Sequence, residues 1–141
     1  MITLFTANPH KDKTARRIFE LFNIPYEEFE GSSLAESLGH MNSPIIRDSA
    51  GIVYCGDEFF KKNVSLLSLG ETCPNCCILK EALKKANIPF AEITDKEILK
   101  EAGFSHYPVL IVNGIDGGIP TVMQFKEAYK TVQKFISEGG A

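Results

Sequence analysis

Apolar positions follow two rhythms along the chain: short runs that suit strands alternate with longer stretches at a period near 3.6. Ile2 to Thr6 reads as a short strand, followed by the turn signals Asn8 and Pro9. From Lys13 to Phe22, Ala15, Ile18, Phe19 and Phe22 recur at helical spacing, with Arg16, Arg17 and Glu20 on the other side. That spacing predicts an amphipathic helix, stopped by Asn23-Ile24-Pro25, and Tyr26 to Phe29 predicts a second strand. Ser32 to Leu38 suggests a short helix ended by Gly39 in the usual left-handed C-terminal position. Ser43 to Ile46 and Gly51 to Cys55 read as two strands joined by the polar turn Asp48 to Gly51, and Gly56 to Phe60 opens a last helical turn.

The same order then begins again. Strand Val64 to Leu69, helix Cys76 to Ala86 and the stop Asn87-Ile88-Pro89 lead to strand Phe90 to Thr94. Helix Lys96 to Ala102 ends at Gly103, strand Pro108 to Val112 turns at Asn113-Gly114, and Thr121 to Ile136 reads as a closing helix. At a constant shift of 64 positions Asn23-Ile24-Pro25 falls on Asn87-Ile88-Pro89, Glu28 on Glu92, Gly39 on Gly103 and Pro44 on Pro108. Helix stops, cap glycines and strand-entry prolines determine backbone conformation, so their agreement points to an internal duplication rather than two unrelated α/β segments. The expected architecture is α/β, with two tandem βαβ-ββ(α) repeats over residues 1–62 and 63–141, the first with a truncated final helix. A unit of roughly 60 residues is marginal alone, so the repeats are expected to pack on each other.

Composition narrows the partners more than the fold. Of 141 residues, 44% are apolar and 23% charged, the makeup of an ordinary soluble globular protein. A formal net charge of -3 provides no basic field to attract nucleic acid or anionic lipid. No apolar run approaches a transmembrane length, and Met1 to Thr6 has neither the basic start nor the apolar core of a signal peptide. A cytoplasmic location is expected.

Chemistry concentrates in Thr72-Cys73-Pro74-Asn75-Cys76-Cys77, between the restarting strand and its helix. Of the four cysteines three fall here, and Cys-x-x-Cys at a strand-to-helix junction is the sequence form of a redox dithiol. A helix N-terminus offers unsatisfied N–H groups and a positive dipole end, which favour thiolate. Cys73 lies at the outer edge of the turn and is the candidate nucleophile. Cys76 begins the apolar face that includes Leu79, Leu83 and Ala86, and is the candidate resolving thiol. Cys77 lies about one hundred degrees further round, toward Lys80, Glu81 and Lys84. It reads as a tolerated small residue, with a third reactive thiol or a metal ligand as the alternatives. Cys55, at a strand end, reads as a small buried hydrophobe.

The second half resembles a glutaredoxin-type member of the thioredoxin fold, through Cys73-Pro74-Asn75-Cys76 after the first strand and Tyr107-Pro108-Val109 opening the third. The first half resembles a degenerate copy of that fold, with Pro9-His10-Lys11-Asp12 in the place of the dithiol and no thiol to exchange. The resemblance implies a thiol/disulfide oxidoreductase that reduces protein or mixed disulfides. It further implies a cis Pro108 beside the dithiol, with Tyr107 and Pro108 as the platform for the substrate backbone and Pro74, Asn75 and His106 around it. His106 stands where the family usually has threonine, either to serve the Cys73 thiolate or simply to face solvent. No cofactor is required.

The family's glutathione-binding Gly/Ser/Cys-Asp pair is expected after the fourth strand, where this chain reads Gly117-Gly118-Ile119-Pro120-Thr121 without an aspartate. Glu71-Thr72 stands where a lysine often precedes the motif, while the first half carries Gly56-Asp57 near the matching place. Glutathione and a thioredoxin-reductase-like flavoprotein are thus both open as reductants. The alternative function is binding without turnover, with Cys73, Cys76 and Cys77 holding zinc or an iron–sulfur cluster. The Cys76-Cys77 pair favours it, and the absence of a second Cys-x-x-Cys or Cys-x-x-His counts against it.

Overall fold

The computed structural model describes residues 1–6, 9–30, 44–114 and 118–138. In chain order they form β1 (Ile2–Thr6), α1 (Pro9–Leu21), β2 (Tyr26–Glu30), β3 (Ile45–Arg47), β4 (Val53–Cys55), α2 (Glu58–Asn63) and β5 (Val64–Leu67). There follow α3 (Pro74–Lys85), β6 (Ala91–Ile93), α4 (Lys96–Ala102), β7 (Val109–Val112), β8 (Thr121–Gln124) and α5 (Phe125–Glu138). The helix expected over Ser32 to Leu38, its Gly39 cap and the strand start at Ser43 lie outside the described residues. No helix among the described residues is long and apolar enough to cross a membrane.

The fold is mixed α/β, with two four-stranded sheets in the orders β2-β1-β3-β4 and β6-β5-β7-β8. Each sheet has one parallel pair, β1 with β2 and β5 with β6, and two antiparallel pairs. The chain divides into two compact units that part between Phe59 and Phe60. In the first unit the buried residues include Leu4, Ile18, Phe19, Ile46 and Phe59, with Phe19 stacked on Tyr26 and meeting Phe59 edge-on. In the second, Leu67 and Val109 cluster with Leu99 of α4 on one sheet face. Strand alternation turns Leu66 and Leu110 to the other face, and α5 packs against α3, β7 and β8. Both faces are thus covered, which is why Leu66, Leu67, Val109 and Leu110 are consecutive apolar residues.

The repetition reaches individual hydrogen bonds. At the end of α1, Asn23 N–H donates to Glu20 O and Ile24 N–H to Phe19 O; at the end of α3, Asn87 N–H donates to Lys84 O and Ile88 N–H to Leu83 O. These paired bonds are a Schellman stop, and both asparagines occupy the left-handed region it requires, at φ 54° and 58°. An ion pair recurs in the same register, Arg16 with Glu28 and Lys80 with Glu92. Asn87→Val is expected to cost about 1–2 kcal/mol, because a β-branched residue is strained at positive φ. Asn87→Gly should be neutral or slightly stabilising, and urea midpoints of the two variants test the difference.

Several expectations need correction. The helices begin earlier than their apolar spacing indicates, at Pro9 and Pro74, because a proline at the first helical position forgoes an N–H that has no partner there. Thr121–Gln124 does not open the closing helix but forms β8, paired antiparallel with β7. The shift of 64 is also not constant. Leu4 faces Ile46 and Leu66 faces Leu110, so the third strands differ by 64 positions and the first by only 62. With the helix ends again at 64, the second unit spans two more residues than the first between its first strand and the end of the helix that follows, and its connection before the helix is the longer one.

Candidate functional site

The longer connection, Ser68 to Cys73, leads into the dithiol. Ser68 is fully buried, and its N–H extends the β5–β6 pairing by donating to Ile93 O at 3.0 Å. Gly70 N–H turns back to Ser68 Oγ at 2.9 Å, and Cys73 N–H donates to Gly70 O at 3.2 Å. Gly70 sits at φ 89°, a backbone conformation that side chains with a Cβ rarely adopt. These bonds deliver the chain to α3 with Cys73 as the N-cap residue.

A cysteine in that position puts its sulfur among the free N–H groups of the first helical turn. Cys73 Sγ accepts the N–H of Cys76 at 3.3 Å and is half-buried. Cys76 is 1% exposed, on the face shared with Leu79 and Leu83. The Cα atoms of Cys73 and Cys76 are 5.2 Å apart, and their sulfurs lie at bonding distance as a disulfide. Leu69 N–H points at the buried sulfur, 3.5 Å from Cys76 Sγ.

The loop before β7 closes the other side. The Tyr107–Pro108 peptide is cis, as the resemblance implies, and the Tyr107 carbonyl oxygen is 4.0 Å from Cys73 Sγ. The Tyr107 ring turns away from the sulfur. Its hydroxyl donates to Leu99 O at 2.7 Å and its ring meets Phe104 edge-on, so the main chain of this residue is what faces the dithiol. Pro108 is buried, whereas Pro74, Asn75 and His106 are exposed. Among the described residues His106 makes no hydrogen bond or ion pair.

Cys77 occupies a different face. Its Sγ is 3.7 Å from Glu71 O, and with Glu81, Lys84, Tyr129 and Gln133 it borders an open groove of about 720 Å³ between α3 and α5. That groove opens beside Cys77, away from the buried Cys76 face. Among the described residues no three His, Cys, Asp or Glu side chains are grouped to hold a metal ion. Cys55 is half-buried against Phe5 and Ile45. The Glu92 carboxylate accepts a hydrogen bond from Lys80 and holds its ammonium above the usual lysine range.

Because β8 is the fourth strand of its sheet, Gly118-Ile119-Pro120 precedes that strand, and Gly117 lies outside the described residues. The residues that follow β8 are Phe125 and Lys126, with Lys126 exposed. In the first unit Gly56-Asp57 directly follows β4. Sequence reasoning did not identify Ser68, Leu69 or Gly70 as part of the site, although Ser-x-Gly is a recognisable side-chain-to-backbone turn. No protein-family model matches the chain, and no curated protein matches it significantly in sequence.

Proposed function

We propose that the chain is a thiol/disulfide oxidoreductase of glutaredoxin type, built from two thioredoxin-like units of which the second carries the chemistry. The observation that carries this reading is the asymmetry of the pair: a half-buried Cys73 whose sulfur caps a helix, bonded to a Cys76 that is 1% exposed. In the reducing direction the Cys73 thiolate attacks one sulfur of a substrate disulfide, forming a mixed disulfide and releasing a substrate thiolate that takes up a proton. The Cys76 thiolate then attacks Cys73 Sγ, expels the second substrate thiolate and closes the Cys73–Cys76 bond. Two electrons pass from the protein dithiol to the substrate.

The substrate class is a protein or mixed disulfide presented in extended form, since the main chain of Tyr107 lies beside Cys73 and an extended peptide pairs through backbone groups. A flavoprotein or another dithiol is favoured over glutathione as the source of electrons. Lys126 follows β8 where an aspartate would bind the α-amino group of glutathione, and the exposed Glu71 adds negative charge near the motif.

The test measures reduction of a mixed disulfide by the full chain with glutathione and, separately, with thioredoxin reductase, alongside the Cys73/Cys76 reduction potential. Turnover and a reversible Cys73–Cys76 disulfide are expected, with the reductase the better donor. A protein without turnover that takes up zinc, or carries the visible spectrum of an iron–sulfur cluster after anaerobic purification, would instead be a ligand-binding protein.

A further inference from the structure

The second unit carries the longer segment between first strand and helix, and one backbone donor of that segment reaches the Cys76 sulfur. Ser68 Oγ accepts Gly70 N–H at 2.9 Å, from a side chain with no exposed surface. The segment is held again by Cys73 N–H on Gly70 O and by Cys77 Sγ beside Glu71 O. Between those ties stands Leu69, whose N–H reaches Cys76 Sγ at 3.5 Å while its side chain is 54% exposed. The contribution of Leu69 to the dithiol is therefore its backbone donor, and the residue that fixes the direction of that donor is Ser68.

We propose that Ser68 is a positioning residue for the resolving cysteine, aiming the Leu69 N–H at Cys76 Sγ so that the reduced pair is favoured over the disulfide. The inference rests on the dithiol reading above. A backbone N–H binds a thiolate more strongly than a neutral disulfide sulfur, because hydrogen bonds to charged acceptors are the stronger kind. The bond thus strengthens as the disulfide opens. When glutathione thiolate attacks Cys73 Sγ, the Cys73–Cys76 bond breaks and its electron pair leaves on Cys76 Sγ, to which the Leu69 N–H donates its hydrogen bond. A second glutathione thiolate then attacks the glutathione sulfur of the mixed disulfide, giving oxidised glutathione and the Cys73 thiolate. Two glutathione thiols have lost two electrons and the protein disulfide has gained them.

Loss of the Ser68 hydroxyl leaves Gly70 N–H without its acceptor and lets Leu69 swing. In the full chain, Ser68→Ala is expected to make the Cys73–Cys76 disulfide about fivefold harder to reduce in glutathione redox buffers. That is about 20 mV more negative, at 29.6 mV per tenfold for a two-electron couple. Alkylation of Cys73 in the reduced protein should keep its wild-type rate, and Ser68→Thr, which restores a hydroxyl, should recover most of the potential. In wild-type protein the Leu69 amide proton should shift downfield on reduction, which tests the donor even where a variant folds poorly. An unchanged potential in Ser68→Ala, an equal loss at Cys73 alkylation, or a Leu69 amide indifferent to reduction would each overturn the inference. A wild-type protein in which Cys73 and Cys76 equilibrate neither with glutathione nor with a small dithiol such as dithiothreitol would instead remove the dithiol reading itself.

Discussion

Cys73→Ser is expected to remove disulfide reduction down to the uncatalysed background, a loss on the order of a thousandfold or more, as for other nucleophiles whose removal stops the first bond-making step. Cys76→Ser should fail differently. The Cys73 thiol still attacks, but nothing resolves the product, so the protein accumulates as a mixed disulfide with its substrate. Mass spectrometry after a single turnover distinguishes the two variants. Serine at position 73 should leave the chain unmodified, and serine at position 76 should leave it heavier by one substrate thiol. The asymmetry follows from placement, since Cys73 Sγ is half-buried at the helix cap while Cys76 has 1% of its surface exposed. Turnover that survived Cys73→Ser would exclude this assignment of roles.

The second large effect concerns the two cores. Phe19→Ala should cost about 3–5 kcal/mol and Leu83→Ala about 2–5 kcal/mol, the range for truncating a large apolar side chain in a packed interior. The two positions are equivalent in the repeat, 64 residues apart, and each supplies the carbonyl that accepts the last bond of its helix stop. Phe19 has no exposed surface and touches both Tyr26 and Phe59. Leu83 likewise has none. Native-state hydrogen exchange of the β1 amides in Phe19→Ala, and of the β5 amides in Leu83→Ala, reads the cost within each unit. Protection unchanged in either variant would mean that its side chain does not anchor that sheet.

Much of this was legible in the sequence, for reasons that differ from element to element. The stops at Asn23 and Asn87 are local devices, written in the residues that adopt the left-handed turn, and so they announce themselves. The turn that carries Cys73 into a helix was legible for the same reason, since strand, Cys-Pro and an amphipathic run occur in order, but the cap itself was not, because the apolar spacing starts the helix only at Cys76. β8 was not legible. Val122, Phe125 and Tyr129 are spaced as on a helix, yet Thr121–Gln124 pairs with β7 across a connection no local pattern reveals. The site was half legible. Its thiols carry a signature and the resemblance implies the Tyr107–Pro108 platform, but the Leu69 N–H belongs to the main chain, which any residue except proline would supply.

The register offset between the first strands has a consequence for how such a protein can change. The third strand, the helix stop and the helix-to-strand ion pair keep one spacing in both units, whereas the turn between third and fourth strands is longer in the second unit and so is the stretch between first strand and helix. That stretch behaves as a cassette, bounded by fixed joints and free to vary between them. Reactivity can then be gained or lost by exchanging a handful of residues at one junction, while the frame that receives them goes on folding by the same instructions.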